Sequence, residues 1–161
     1  MFGALDLNDR ADYARFLASH AIALAACQPI LDPFVVEQLR LPLPAFSALL
    51  RLDLAALGTP AEILPRLALA PATDPIGVAY VILGSRLGLT VLRQRGFWGA
   101  RASAYMSDDS GLALWRGLVA WLRYRPIADA RIEAACASAE ASFDLFRLAF
   151  AATAPFTRRA A

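Results

Sequence analysis

The sequence predicts an all-α protein, and three observations support this fold class. Apolar residues recur at the three- and four-residue spacing of an amphipathic helix along nearly the whole chain, and no segment shows the sustained alternation of a half-buried strand. Prolines and glycines stand between the periodic stretches, where helices end. A length of 161 residues suits one domain, so we expect residues 1–161 to form a single multi-helix bundle.

The predicted helices are bounded by capping residues, prolines and glycines. Asn8 is a plausible N-cap for the first helix, and Pro29 either ends that helix or begins the next one. Gly58 suits a left-handed C-terminal cap, and Asp74 followed by Pro75 supplies a capping side chain and a proline at the first helical position. The helices expected from these signals cover residues 8–27, 33–40, 45–57, 75–95, 109–123 and 127–152, with one short helical turn within 59–72.

Composition and charge exclude several classes of protein. The chain has no lysine, and its 16 arginines against 14 acidic residues give a net charge of only +2, which argues against a broad nucleic-acid-binding face. The longest uncharged run, between Arg15 and Asp32, contains His20, Gln28 and Pro29, so it predicts a buried helix in place of a membrane span. The first residues lack the basic and then apolar pattern of a secretory signal. We therefore expect a cytoplasmic protein that binds neither nucleic acid nor membrane.

Other notable side chains have structural interpretations. Cys27 and Cys136 lack the spacing of a zinc site and are expected to be small buried hydrophobes. Asp108 and Asp109 are expected to cap a helix, because no histidine or second carboxylate cluster lies near them in sequence. Several aromatic residues are expected in the core, namely Trp98, Trp115, Trp121, Phe97, Phe143 and Phe146.

The predicted helix over residues 75–95 carries three glycines, although each glycine in a helix costs about 1 kcal/mol relative to alanine. At 100° per residue, Gly77, Gly84 and Gly88 fall within about 40° of one another, with Val81 between them. This strip of bare backbone allows close approach of either a neighbouring helix or a flat ligand. Spacing alone leaves both interpretations open.

The same helix carries a family resemblance. The run from Tyr80 to Gly88, Tyr-Val-Ile-Leu-Gly-Ser-Arg-Leu-Gly, resembles the distal helix of bacterial biliverdin-producing heme oxygenases, whose pattern is close to Tyr-Val-Leu-Glu-Gly-Ser-x-Leu-Gly-Gly-x-Val. Residues 10–17 resemble the second helix of that family, and residues 115–118 and 139–146 resemble its C-terminal helices. These stretches cover most of the chain in the family's order. The resemblance implies a heme oxygenase-like helical bundle.

The resemblance also implies an activity and a site. Heme oxygenases use dioxygen and electrons from a donor such as a ferredoxin or a reductase to cleave heme to biliverdin, iron and carbon monoxide, and a phytochrome is one receiver of the biliverdin. By resemblance, Gly84, Ser85 and Gly88 are the distal catalytic positions: Gly84 offers backbone, Ser85 a hydroxyl for a water network, and Gly88 clearance for the macrocycle. Tyr80, Val81 and Leu89 are the expected heme-binding neighbours.

The chain departs from the family pattern at three places. Leu83 replaces the family's acidic residue, and Leu89 replaces the second glycine of a pair. The family's proximal histidine lies on a helix that precedes the second-helix motif, and this chain begins at about the junction between those helices. Its one histidine, His20, lies on the second-helix motif itself.

Three explanations of the missing proximal histidine stay open. The protein starts further upstream, or it has kept the fold and lost heme chemistry, or His20 has been recruited as the axial ligand of the heme iron. As an alternative to ligation, His20 is a hydrogen-bonded core residue. Without a first helix the chain should expose apolar surface, so a homodimer is one expectation. The alternative function is a non-catalytic helical domain that acts through protein contacts or holds heme or a bilin.

Overall fold

The computed structural model describes residues 5–59, 61–97 and 102–154. All regular secondary structure in these residues is helical, and they contain no strand, which confirms the predicted all-α class. The α-helices are α1 (Arg10–Phe34), α2 (Phe46–Ala56), α3 (Pro75–Arg95), α4 (Ala104–Ser107), α5 (Ser110–Tyr124) and α6 (Asp129–Ala152). A π-helical turn at Val35–Leu39 follows α1, and a 3₁₀ turn at Ala61–Ile63 follows α2.

The first helix is longer than the sequence predicts. Asp9, not Asn8, caps α1, because its carboxylate accepts hydrogen bonds from the amides of Ala11 and Asp12 at 2.8 and 2.9 Å. The prediction that the helix ends near Cys27 is wrong: α1 runs through Pro29 and Pro33, and the expected separate element over 33–40 continues it. Pro29 cannot donate to the carbonyl of Ala25, but both residues are exposed, so water can satisfy that carbonyl.

The middle of the chain follows its glycine and proline signals. The helix predicted over 45–57 is α2, which ends at Ala56, and Gly58 two residues later has the left-handed φ, 72°, that was expected. The 3₁₀ turn is the short helical turn predicted within 59–72. Asp74 caps α3 by accepting a hydrogen bond from the Ile76 amide at 2.8 Å, and Gly96 ends that helix with a φ of 92°.

The four-residue helix α4 was not predicted, and a buried carboxylate from α2 holds it. Asp53, 1% exposed, accepts hydrogen bonds from the amides of Ala104 and Tyr105 at 3.0 and 2.8 Å. This contact joins residues about 50 positions apart in sequence, which local patterns cannot show. Burial raises the pKa of Asp53 above its ordinary value, and the two amides partly oppose that shift.

The helices pack around α1 and α3. α1 contacts α2, α3 and α6, while α3 contacts α5, α6 and α4 as well. Of the residues expected in the core, Cys27 and Phe146 are buried, whereas Phe97, Trp115 and Trp121 are half-buried. The predictions for Cys136 and Phe143 are wrong, because both lie on exposed positions of α6. Trp98 lies outside the described residues.

Two helical stretches among the described residues are long and strongly apolar. The stretch Arg10–Leu39 and helix α3 are each long and apolar enough to cross a bilayer. In each stretch, half of the most apolar 18 residues are buried within the fold. The core helix of a soluble protein can be equally long and apolar. The cytoplasmic location stays a prediction.

Two glycines of α3, Gly77 and Gly88, differ in the space around them. A methyl group at Gly77 would overlap the carbonyl oxygen of Ala135 and lie 2.7 Å from the amide nitrogen of Ala139, so Gly77 permits close contact between α3 and α6. At Gly88 no neighbouring atom lies within 4 Å of an added methyl group. We expect Gly77→Ala to lower the free energy of unfolding by about 1–3 kcal/mol through overpacking, and Gly88→Ala to raise it by up to about 1 kcal/mol. Urea unfolding of both variants measures this, and equal effects would contradict the assignment.

Candidate functional site

An apolar cavity of about 670 Å³ opens between α1, α3 and α6. Its size falls within the roughly 300–1,000 Å³ of typical small-molecule sites. Five of the residues that the sequence predicts for the site line it, namely His20, Val81, Ser85, Gly88 and Leu89. The remaining lining residues are Phe16, Val91, Leu92, Phe143, Phe146 and Arg147.

His20 forms part of the inner wall of this cavity. Only 4% of the residue is exposed, and its Nδ1 lies 2.9 Å from the carbonyl oxygen of Phe16, one helical turn earlier. That carbonyl can only accept, so the Nδ1 atom carries the proton and the lone pair of the neutral ring lies on Nε2. Burial lowers the pKa of His20 to about 4, the carbonyl of Phe16 opposes the shift, and Arg86 adds to it. The imidazole is therefore neutral at pH 7, as a metal-binding imidazole must be.

Aromatic rings fix the orientation of His20. The ring centroid of Phe16 lies 4.1 Å from that of His20, and the centroids of Phe146 and Tyr105 lie at 5.4 and 5.8 Å. Phe146 comes from α6 and Tyr105 from α4, so three helices hold the imidazole in place. Such packing places a ring in a fixed position at a cavity wall.

The three glycines of α3 have different environments. Gly88 lines the cavity and has open space where a side chain would project. A methyl group at Gly84 would instead lie 3.2 Å from the indole of Trp115, so Gly84 packs against α5. Tyr80 also faces α5, with its ring centroid 5.5 Å from that of Trp115. Helix packing thus accounts for Gly77 and Gly84, and the cavity accounts for Gly88.

The other predicted residues of α3 form the cavity wall. The Ser85 hydroxyl donates a hydrogen bond to the carbonyl oxygen of Ile82 at 2.7 Å, which leaves its oxygen able to accept from a ligand or a water molecule. Val81 and Leu89 are each 4% exposed and supply apolar surface. Leu89 stands where the resembled family has glycine, so its side chain takes up space in the cavity wall.

Residues of α6 form the rim, and the sequence reasoning did not assign them to the site. Phe143 is 56% exposed at the opening, and Arg147 pairs with the Asp144 carboxylate at 2.8 Å in an exposed ion pair. An aromatic residue one helical turn before an arginine is a common surface pattern, so the sequence carried only a weak signal. The rim supplies one cation beside an apolar opening.

Among the described residues, no group of three or more histidine, cysteine, aspartate or glutamate side chains could hold a bare metal ion. Comparison of the chain with family models, with curated proteins and with solved structures finds no match.

Proposed function

We propose that this protein binds heme in the cavity between α1, α3 and α6, and that His20 would hold the iron. The observation that carries the proposal is the placement of a neutral, oriented imidazole in the wall of an apolar cavity of about 670 Å³. A metal-binding histidine generally donates its second ring N–H to a carbonyl or a carboxylate, and the Nδ1 contact with Phe16 has that form.

The rest of the cavity supports a flat apolar ligand with a charged edge. Gly88 offers space beside bare backbone, and Val81 and Leu89 offer apolar contact. Arg147 at the rim would hold a propionate, because its exposed ion pair with Asp144 costs little to exchange. Heme, when bound, would supply iron for chemistry with dioxygen, and the electrons would come from an external donor such as a ferredoxin or a reductase.

We further propose that the activity is oxidative cleavage of heme to biliverdin, iron and carbon monoxide, with a phytochrome as a candidate receiver of the biliverdin. The support is the sequence resemblance of α3 to the distal helix of heme oxygenases, together with the position of Ser85 and Gly88 in the cavity wall. In this proposal the apolar walls exclude bulk water, the Ser85 hydroxyl orients water at the ligand, and His20 stays neutral.

A second candidate is a protein that holds heme or a bilin without oxidising it. The specific observation in its favour is that Gly84 and Tyr80 face Trp115 in α5 and not the cavity, while Leu89 narrows the wall. Less bare backbone then faces the ligand than the family pattern implies. Product analysis separates the two candidates.

The proposed ligation predicts the outcome of a hemin titration. We expect the wild-type chain to give a Soret band that saturates at one hemin per protein, and His20→Ala to lose at least about tenfold in affinity because the axial bond is gone. Added imidazole should restore the band in His20→Ala. Absorption spectroscopy measures both effects.

The matched control is Ser142→Ala, which alters a buried residue of α6 whose hydroxyl donates to the carbonyl oxygen of Ser138 and which does not line the cavity. Ser142→Ala should bind hemin as the wild type does. A wild-type chain without a saturable band, or a His20→Ala band equal to that of the wild type, would refute ligation by His20. If the band forms, incubation with a ferredoxin, its reductase and NADPH tests oxidation: biliverdin absorption supports the enzyme, and intact heme supports the holding protein.

A further inference from the structure

A second cavity, of about 430 Å³, lies on a different face of α1. Its walls come from α1, from α2 and from residues 61–67, which comprise the 3₁₀ turn and the irregular chain after it and are called the irregular segment below. We propose that it binds a small carboxylate with an apolar body, and that Arg51 and Arg66 hold the carboxylate group. This site shares no lining residue with the cavity that contains His20, so it does not depend on heme binding.

One part of the second cavity is apolar. Ala21, Ile22 and Ala25 project from α1, and Leu64 and Leu67 face them from the irregular segment. The small alanine side chains leave room between the helix and the segment. This surface suits an aliphatic or aromatic body and gives no hydrogen bonds to it.

The charged part of the cavity favours an anion. Arg51 on α2 and Arg66 on the segment both line it, and none of the ion pairs among the described residues involves either of them. A guanidinium group recognises a carboxylate through two parallel N–H bonds. Glu62 also lines the cavity, so two arginines and one glutamate leave a net lining charge of +1.

A hydrogen-bonded pair of side chains stiffens the wall between α1 and α2. The Ser47 hydroxyl donates to the side-chain oxygen of Gln28, and the Gln28 amide bonds to the carboxyl group of Asp32 on the same helix. Gln28 and Ser47 carry no charge and bond to each other, so they shape the wall between α1 and α2. Recognition of the ligand charge therefore rests on Arg51 and Arg66.

The probe that tests this site is 4-phenylbutyrate, which has a phenyl body and one carboxylate. The uncharged 4-phenylbutyramide is its matched control, since it keeps the body and removes the charge. In ¹⁵N-labelled protein we expect 4-phenylbutyrate to produce saturable shifts of the amide signals of Ser47, residues 61–64, Arg66 and Leu67, and 4-phenylbutyramide to bind at least about tenfold more weakly.

Variants assign the charge recognition. The double change Arg51→Gln with Arg66→Gln should weaken 4-phenylbutyrate binding at least about tenfold, and Glu62→Gln should strengthen it a few-fold because a repulsive charge is removed. Arg116→Gln with Arg123→Gln, two exposed arginines of α5 outside the cavity, removes the same total charge and should leave binding unchanged. All the substituted side chains are exposed, so the dispersion of the amide spectrum should show that every variant is folded.

The proposal is overturned if the carboxylate and the amide bind equally, or if the Arg51 and Arg66 double variant binds like the α5 control. Shifts confined to residues 81–92 would place the probe in the His20 cavity and would also overturn it. A negative hemin titration has no bearing on any of these outcomes, because hemin and 4-phenylbutyrate report on separate cavities.

Discussion

Arg86→Ala should lower the free energy of unfolding by about 3 kcal/mol, because it removes one partner of a largely buried ion pair. Arg86 is 3% exposed, and its Nη2 donates to the carbonyl oxygens of Tyr105 and Asp108 at 2.9 and 2.7 Å. The same atom lies 3.3 Å from the Asp108 carboxylate. Arg86 of α3 therefore holds both α4 and the short connection between α4 and α5 through these contacts.

Ring contacts add to the expected loss, and partial exposure of the partner limits it. The guanidinium carbon of Arg86 lies 4.7 Å from the ring centroid of Phe46 and 4.6 Å from that of Tyr105, and truncation to alanine empties the space between these rings. Asp108 is 19% exposed, so water can solvate its carboxylate after the substitution. The Nη1 atom of Arg86 is buried with no hydrogen-bond partner among the described residues, which makes the native arginine less favourable. For these two reasons, we expect a loss in the free energy of unfolding at the lower end of the range that follows removal of one partner from a buried ion pair.

Arg93→Ala is the matched control, since it is also an arginine of α3 that pairs with the next aspartate in sequence. The Arg93 guanidinium lies 3.0 Å from the Asp109 carboxylate, but 32% of Arg93 and 67% of Asp109 are exposed. Such a pair contributes at most about 1 kcal/mol. Urea unfolding at pH 7 compares the two variants. A loss for Arg86→Ala no larger than that for Arg93→Ala would show that burial does not strengthen the Arg86 contacts.

The sequence could predict the features that depend on local signals. Asp74, Pro75 and Gly96 set the ends of α3 through capping and backbone preferences that involve only neighbouring residues. The pattern failed at Pro29, because a proline on the exposed face of a buried helix need not end it when water can reach the carbonyl it leaves unbonded. It also missed α4, whose capping carboxylate, Asp53, comes from another helix.

The candidate site likewise contains some residues that local periodicity predicts and others that only tertiary packing brings there. Periodicity placed His20 on the buried stripe of α1, and the cavity contains it with Ser85 and Gly88 of α3. Periodicity could not distinguish Gly84 from Gly88, because the two share a face of α3 and differ only in which neighbouring helix passes there. Residues of α6 such as Arg147 reach the cavity only through tertiary packing. Which helix contacts which face is decided by long-range packing, and spacing within one helix does not record it.

Acid should destabilise the wild-type protein through His20, its one histidine, because the folded protein buries the ring in its neutral form. The folded-state pKa of His20, about 4, lies below its ordinary value of 6.5, so between these pH values the unfolded chain binds the proton more readily than the folded one. Stability therefore rises with pH through this window, and it falls as the pH is lowered from 6.5 to 4. The full shift corresponds to about 3 kcal/mol.

His20→Phe isolates this effect, because it keeps a ring among Phe16, Tyr105 and Phe146 but cannot bind a proton. The free energy of unfolding of each protein, measured in urea at pH 7.0, 5.5 and 4.5, gives the difference between the wild type and the variant at each pH. We expect the wild type to lose stability relative to His20→Phe by about 1 kcal/mol at pH 5.5 and by more than about 2 kcal/mol at pH 4.5.

The raised pKa values of Asp32 and Asp53 act in the opposite direction, but both proteins contain these carboxyl groups, so their effect cancels in the difference. A difference that does not change with pH would mean that the folded protein accommodates a charged His20, and the interpretation of this residue as a neutral imidazole at pH 7 would then fail.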